Sequence, residues 1–225
     1  MANIQKEIKF TATPEKGEVS AIFLRPEGAT HLLILSHGAS TNMRHKTLET
    51  IAERLAQVGI ATFRYNFPYS ENGTFRNPAP VCIATIRSAA AAARETATDL
   101  PLLAGGHSFG GRMTSTAASE SPIEDVRGLV FFSFPLHMPG KLDTKRAGHL
   151  STVTVAMLFL SGTRDALAEL ELLEPVVESL PLATLHLLDT ADHSYKVLKK
   201  TRASSEDVFD EMARVTEEWA EAIRN

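Results

Sequence analysis

Residues 102–113 read LLAGGHSFGGRM. The run 102–107 is apolar and predicts a strand, and 110–120 predicts a helix. Between them lies Gly106-His107-Ser108-Phe109-Gly110, a G-x-S-x-G pattern. A serine on so sharp a strand-to-helix turn projects its Oγ above the sheet, and the positions two before and two after it must be small. Gly106 and Gly110 meet that demand. The helix behind Ser108 also aims amide dipoles at any negative charge that develops there. A dinucleotide loop would need G-x-G-x-x-G and a P-loop Gly-Lys-Ser/Thr, and this stretch supplies neither.

Outward from this turn, strands and helices alternate. A short hairpin (8–10 and 19–25) opens the chain. Strands follow at 32–36, 60–65, 129–134, 153–160 and 182–188, and helices at 46–58, 78–96, 166–179 and 205–223. Gly59 stops the 46–58 helix as a C-terminal glycine does. Such alternation implies βαβ units, a mostly parallel sheet and right-handed crossovers. Loops 66–80 and 135–152 exceed the usual length, and long loops in a tight domain carry function. Ligands bind outside the carboxyl ends of such strands, so the residues just after each strand are the candidates.

Serine needs a base, and the base needs a group to orient it. Asp165 follows strand 153–160, and His193 follows strand 182–188. The order Ser108, Asp165, His193 suits a nucleophile–acid–base triad. Asp189 and Asp192 stand close to His193 in sequence and are the alternatives for orienting it. Asp192, adjacent to the histidine, is expected to brace the loop. The amides of Ala39, after the early strand, and Phe109, after the serine, are the expected oxyanion donors. Arg44, Arg64, Asn66 and His137, all in or near strand-end loops, are candidate substrate-binding residues, and an arginine facing the site would suit an anionic group. Arg112 is expected to form a structural ion pair and Cys82 to pack as a small apolar residue.

Composition narrows the class. The 225 residues are 44% hydrophobic and 22% charged, with 13 glycines and 11 prolines, as in an ordinary globular chain. The span 1–225 is expected to be a single domain. Net charge is −4 without a like-charge block, so no nucleic-acid partner is expected. The single cysteine excludes an intrachain disulfide and a cysteine-based zinc site. The eight histidines show no metal-ligand spacing, so neither metal nor cofactor is expected. Residues 1–10 lack the apolar core of a signal peptide. The longest strongly apolar stretch, 153–160, falls far short of the roughly 18 residues of a membrane span. The expectation is a cytoplasmic protein without a membrane partner. Oligomeric state is not legible.

The stretches SHGASTNMRH (36–45), FRYNFPY (63–69), GGHSFGGRM (105–113), FSFPLHMPGK (132–141), LFLSGTRDAL (158–167) and TADHSYK (190–196) together resemble the α/β-hydrolase superfamily over essentially the whole chain. Within it the sequence is similar to small dienelactone-hydrolase-like bacterial proteins, which are related to the hydrolase-like domain of the non-specific-lethal chromatin complex subunit. The resemblance implies an eight-stranded, mostly parallel sheet flanked by helices. It also implies the triad Ser108, Asp165 and His193. Loop 135–152 is too short for a large cap domain. The implied activity is a serine hydrolase acting on a small ester, thioester or lactone through an acyl-enzyme. The alternative is a non-catalytic protein-interaction module reusing the fold, as the chromatin-associated relatives do.

Overall fold

The computed structural model describes residues 3–223. The expected domain span of 1–225 includes four terminal residues that lie outside the described residues. Eight strands form one sheet in the order β1-β2-β4-β3-β5-β6-β7-β8. They are β1 (Asn3–Thr13), β2 (Gly17–Pro26), β3 (His31–Ser36), β4 (Ile60–Tyr65), β5 (Leu102–His107), β6 (Val126–Phe132), β7 (Ala156–Gly162) and β8 (Ala183–Leu188). Strand β2 runs antiparallel to both β1 and β4, and the pairs from β4 through β8 are parallel. The helices are α1 (Lys46–Gln57), α2 (Pro68–Glu71), α3 (Ala79–Thr96), α4 (Phe109–Glu120), α5 (Leu170–Glu178) and α6 (Val208–Ala222).

The sheet is covered on both faces. Strand residues alternate between two cores, as the two-residue period of a strand requires. Ala61, Phe63 and Tyr65 of β4 join α3, α4 and α5 on one face, while Leu33, Leu35 and Leu103 join α1 and α6 on the other. That double burial is why β3, β4 and β6 read as nearly unbroken apolar runs. In α1, Leu48, Ile51, Ala52 and Leu55 fall on the buried stripe, and Gly59 follows its end at φ 81°.

Several boundaries differ from the sequence reading, each for a local reason. The edge strand β1 is far longer than 8–10 because its backbone pairs with β2 along its whole length, although its outer half is charged and exposed. Strand β6 lies earlier than 129–134, since Ser133 turns at φ 56°. A 3-10 turn at Leu150–Thr152 delays β7 to Ala156. Helix α5 starts at Leu170 rather than 166, because the Asp165 carboxylate accepts from Leu167 N and its carbonyl from Ala168 N. Helix α6 starts after Asp207, whose side chain caps Phe209 N at 2.9 Å, not at 205. Loop 66–80 contains α2, with Pro68 at its first turn.

Register aligns the carboxyl ends. Ser36 pairs with Gly106, His107 with Phe132, and Gly162 with Leu188. The loops after β3, β5, β7 and β8 therefore open on one rim. Among the described residues, the β6–β7 connection holds two 3-10 turns and no cap domain.

Candidate active site

Ser108 occupies φ 52°, ψ −116°, a conformation that favours glycine. Three observations explain how the chain holds it there. Ser108 N donates to Phe132 O at 2.9 Å. Helix α4 begins at the next residue, with Arg112 N donating to Ser108 O at 3.1 Å. The turn also lies hard against β3, where a Cβ on either Gly106 or Gly110 would stand 2.5 Å from Ser36 O. No side chain larger than hydrogen fits at either position. The amides of Phe109, Gly110 and Gly111 precede the first i to i−4 bond of the helix and point toward its positive end.

His193 and Asp165 meet the serine from two other loops. His193 Nδ1–H donates to Asp165 Oδ2 at 2.8 Å and Oδ1 at 2.9 Å. The carboxylate only accepts, so Nε2 is left unprotonated and accepts from Ser108 Oγ–H at 2.8 Å. Asp165 is 3% exposed, and the His193 side chain is 22% exposed, open to solvent on one side. The two loops are joined by their backbones. Thr163 N donates to Leu188 O and Arg164 N to Ala191 O. A Cβ on Gly162 would stand 2.3 Å from Ala191 O, so this approach also requires glycine.

The neighbouring aspartates are turned elsewhere. Asp192 Oδ1 accepts from Ser194 N at 2.8 Å and Lys196 N at 3.0 Å, bracing the loop. Asp189 Oδ2 accepts from Ala203 N at 2.7 Å, on the lead into α6. Asp165 alone among the three contacts the imidazole of His193.

The loop after β3 packs beside the serine turn, with a Cβ on Gly38 falling 3.3 Å from His107 Nδ1. Gly38 O accepts from His37 Nδ1–H at 2.7 Å, Thr41 Oγ1 at 3.2 Å, Thr41 N at 3.3 Å and Tyr69 OH at 3.4 Å. In a trans peptide the N–H points opposite the carbonyl. Anchoring Gly38 O therefore fixes the direction of the Ala39 N–H. His37 itself is clamped, because its Nε2 accepts from Phe67 N at 3.1 Å. A carbonyl at one nitrogen and an amide at the other define a neutral ring, and burial lowers its pKa to about 4. Sequence pattern assigns His37 no role; its place at the end of an apolar strand is the available signal.

The four candidate substrate-binding residues each have partners within the protein. Arg44 is exposed and pairs with Glu7 of the edge strand at 2.8 Å. Arg64 is 3% exposed, donates to Met43 O and lies 3.9 Å from Glu49, on the α1 face. Asn66 accepts from Met43 N at 2.9 Å and donates to Glu71 at 2.7 Å, bracing its loop. His137 is buried, donates from Nδ1 to Met138 O and contacts the Glu169 carboxylate through Nε2. A polar residue after a strand can serve the loop as readily as a ligand, and sequence does not separate the two. Cys82 is fully buried, and burial pushes its thiol up to about 11. Among the described residues, no group of three or more His, Cys, Asp or Glu side chains could hold a metal ion. None of the described helices is long and apolar enough to cross a membrane.

Comparison with solved structures returns the same architecture. The dienelactone hydrolase of Anabaena variabilis ATCC 29413 superposes with a TM-score of 0.77 at 18% identity, covering 99% of each chain. The esterase domain of a Rhodothermus marinus protein gives 0.71 at 18% identity over 97% of this chain and 98% of that one. An alpha-beta serine hydrolase homologue from Coxiella burnetii gives 0.69 at 18% identity over 97% of each. Identities this low establish a shared fold. Residues 29–221 match the family described as "Alpha/beta hydrolase domain". With most of its length inside that match and the sheet order above, the chain belongs to the alpha/beta hydrolase family and has a dienelactone-hydrolase-like fold.

Proposed function

We propose that the protein is a serine hydrolase cleaving small ester, thioester or lactone substrates through Ser108, His193 and Asp165. The observation that carries this reading is the 2.8 Å contact between Ser108 Oγ and His193 Nε2, made while Nδ1 is held by a buried carboxylate. Ser108 Oγ attacks the substrate carbonyl carbon as its proton passes to His193 Nε2. Asp165 keeps the ring in the tautomer whose Nε2 is free to accept, and stabilises the imidazolium. The amides of Ala39 and Phe109 receive the negative oxygen of the tetrahedral intermediate. Collapse breaks the bond to the leaving group, which takes the proton from His193. Water then attacks the acyl-serine, again giving its proton to His193, and Ser108 is restored.

Intact-mass spectrometry after exposure to a fluorophosphonate tests the reading. One stoichiometric adduct, absent from Ser108→Ala, is expected. A folded protein that takes up no adduct would overturn it and return attention to the interaction-module alternative.

A further inference from the structure

Ser108 has an aromatic ring on each side of it in the chain. After it, Phe109 lies against Arg76 and Arg112, whose Cζ atoms stand 5.1 and 5.7 Å from the ring centroid. Arg112 thus meets a ring rather than the ion-pair partner expected of it. Before it, His107 ends β5 on the same face of the sheet as Leu103, toward α6. There its Nε2–H donates to the backbone carbonyl of His193 at 3.3 Å. Its ring centroid stands 5.6 Å from that of His193 and 5.9 Å from that of Tyr195. Tyr195 is buried and meets Phe209 of α6 edge-on at 5.5 Å. His107 therefore packs against both the base and a ring anchored on α6.

Loop 189–196 carries His193 and is held on two sides. Toward β7, Arg164 N donates to Ala191 O at 2.9 Å, and His193 Nδ1–H reaches Asp165. Toward β5, among the described residues, two hydrogen bonds join the loop to the serine turn. One links His193 Nε2 to Ser108 Oγ, and the other links His107 Nε2 to His193 O. The two have different fates. The Ser108 bond is consumed in each turnover, as the proton passes to His193 and Oγ bonds to carbon. The His107 bond joins a ring N–H to a main-chain carbonyl, and no step of the reaction touches it. It holds the base beside Ser108 through the interval when the other bond is broken. Burial lowers the His107 pKa to about 4, so near pH 7 this second imidazole adds no charge beside the imidazolium and does not compete for the proton. Packing alone would be served by an apolar ring of similar size. A donor aimed at the main chain of the base answers a further demand.

We propose that His107 is a positioning residue: its Nε2–H fixes the main chain of His193, and with it the reach of the base to Ser108, throughout turnover. The inference rests on the hydrolase reading above and adds a residue to it. Its expected size follows from geometry, since misplacing a catalytic group by about 1 Å can cost about 10²-fold in rate.

Two variants separate the donor from the ring. His107→Gln puts an amide N–H near the place of Nε2, and His107→Phe keeps a ring of similar size without a donor. With 4-nitrophenyl acetate, His107→Phe should lower kcat about 10- to 100-fold with KM within about twofold. His107→Gln should stay within about fivefold of wild type in kcat. Fluorophosphonate capture at Ser108 should rank the three proteins in the same order. A packing role predicts the reverse, with the ring of Phe better tolerated than the chain of Gln, and that order would overturn the proposal. Wild type gives a second test, which stands even if His107→Phe does not fold. Nitrogen-15 NMR of histidine-labelled protein at pH 7 reads the tautomer, and His107 should carry its proton on Nε2. A proton on Nδ1 alone would end the proposal, because Nε2 then has nothing to donate. If wild type hydrolyses no ester and takes up no fluorophosphonate, the hydrolase reading has failed and this inference falls with it. An active wild type matched by an equally active His107→Phe sinks this inference alone.

Discussion

His107 Nε2 lies 3.3 Å from the backbone carbonyl of His193, tying the residue before the turn serine to the main chain of the histidine it faces. A carbonyl only accepts, so Nε2 carries a proton. Burial, with the charge of His193 as a second cause, lowers the His107 pKa to about 4. His37, in the adjacent loop, sits at about 4 as well, through burial.

These two histidines make stability depend on pH. Each has a folded pKa of about 4 against an ordinary 6.5. Between those values the unfolded chain takes up protons that the folded chain refuses. The contribution is therefore whole above pH 6.5 and is lost as pH falls toward 4, by about 3 kcal/mol per histidine at the limit. Urea unfolding at pH 7, 5.5 and 4.5 should show a steady fall in midpoint. The fall should be shallower in His107→Asn once its lower starting stability is subtracted. A midpoint independent of pH over this range would contradict the assignment.

Backbone strain at Ser108 predicts an asymmetry between two inactive variants. Both Ser108→Ala and Ser108→Gly remove the hydroxyl, and turnover of any accepted ester should fall at least about 10³-fold in each. Only glycine adopts φ 52°, ψ −116° without strain, so Ser108→Gly should be more stable than Ser108→Ala by about 1 kcal/mol. Thermal melts of the pair measure this directly.

The aspartates near His193 should separate cleanly by kinetics. Asp165→Asn preserves the shape of the site but removes the acceptor that holds Nδ1 protonated, and kcat should drop about 10³- to 10⁴-fold. Asp189→Ala loses the acceptor for Ala203 N, so it should cost about 1 kcal/mol of stability while leaving kcat within a few-fold. The reverse pattern would reassign the acid.

Gly162→Ala tests whether the contact between the β7 and β8 loops positions the site. Its Cβ would fall 2.3 Å from Ala191 O, and a backbone atom cannot swing aside. A loss of about 1–3 kcal/mol is expected, together with reduced kcat as Asp165 and His193 are pushed apart. Gly148→Ala, whose nearest neighbour would be an ordinary 3.5 Å away, should leave both quantities nearly unchanged.

Much of this was legible from the chain alone. Residues 60–65 and 102–107 are strands as read, because a buried parallel strand is written as a short apolar run bounded by glycine or polar residues. The serine turn was legible because its two small neighbours are a local steric demand, visible within five residues. The 166–179 and 205–223 helices were over-extended because side chains of Asp165 and Asp207 take backbone amides, a competition that periodicity does not register.

The alternating strands and helices, the turn at Ser108 and the candidates for acid and base are all legible along the chain, since they follow from local sterics and burial period. Tertiary structure alone decided which partners those residues took. It turned Asp165 toward His193 and Asp189 toward Ala203, gave Arg44, Arg64, Asn66 and His137 partners on other segments, and set Arg76 and Arg112 over the ring of Phe109 from two separate segments. A side chain's partner depends on which distant backbone passes within about 3 Å, and that is set by strand order and register rather than by residue type.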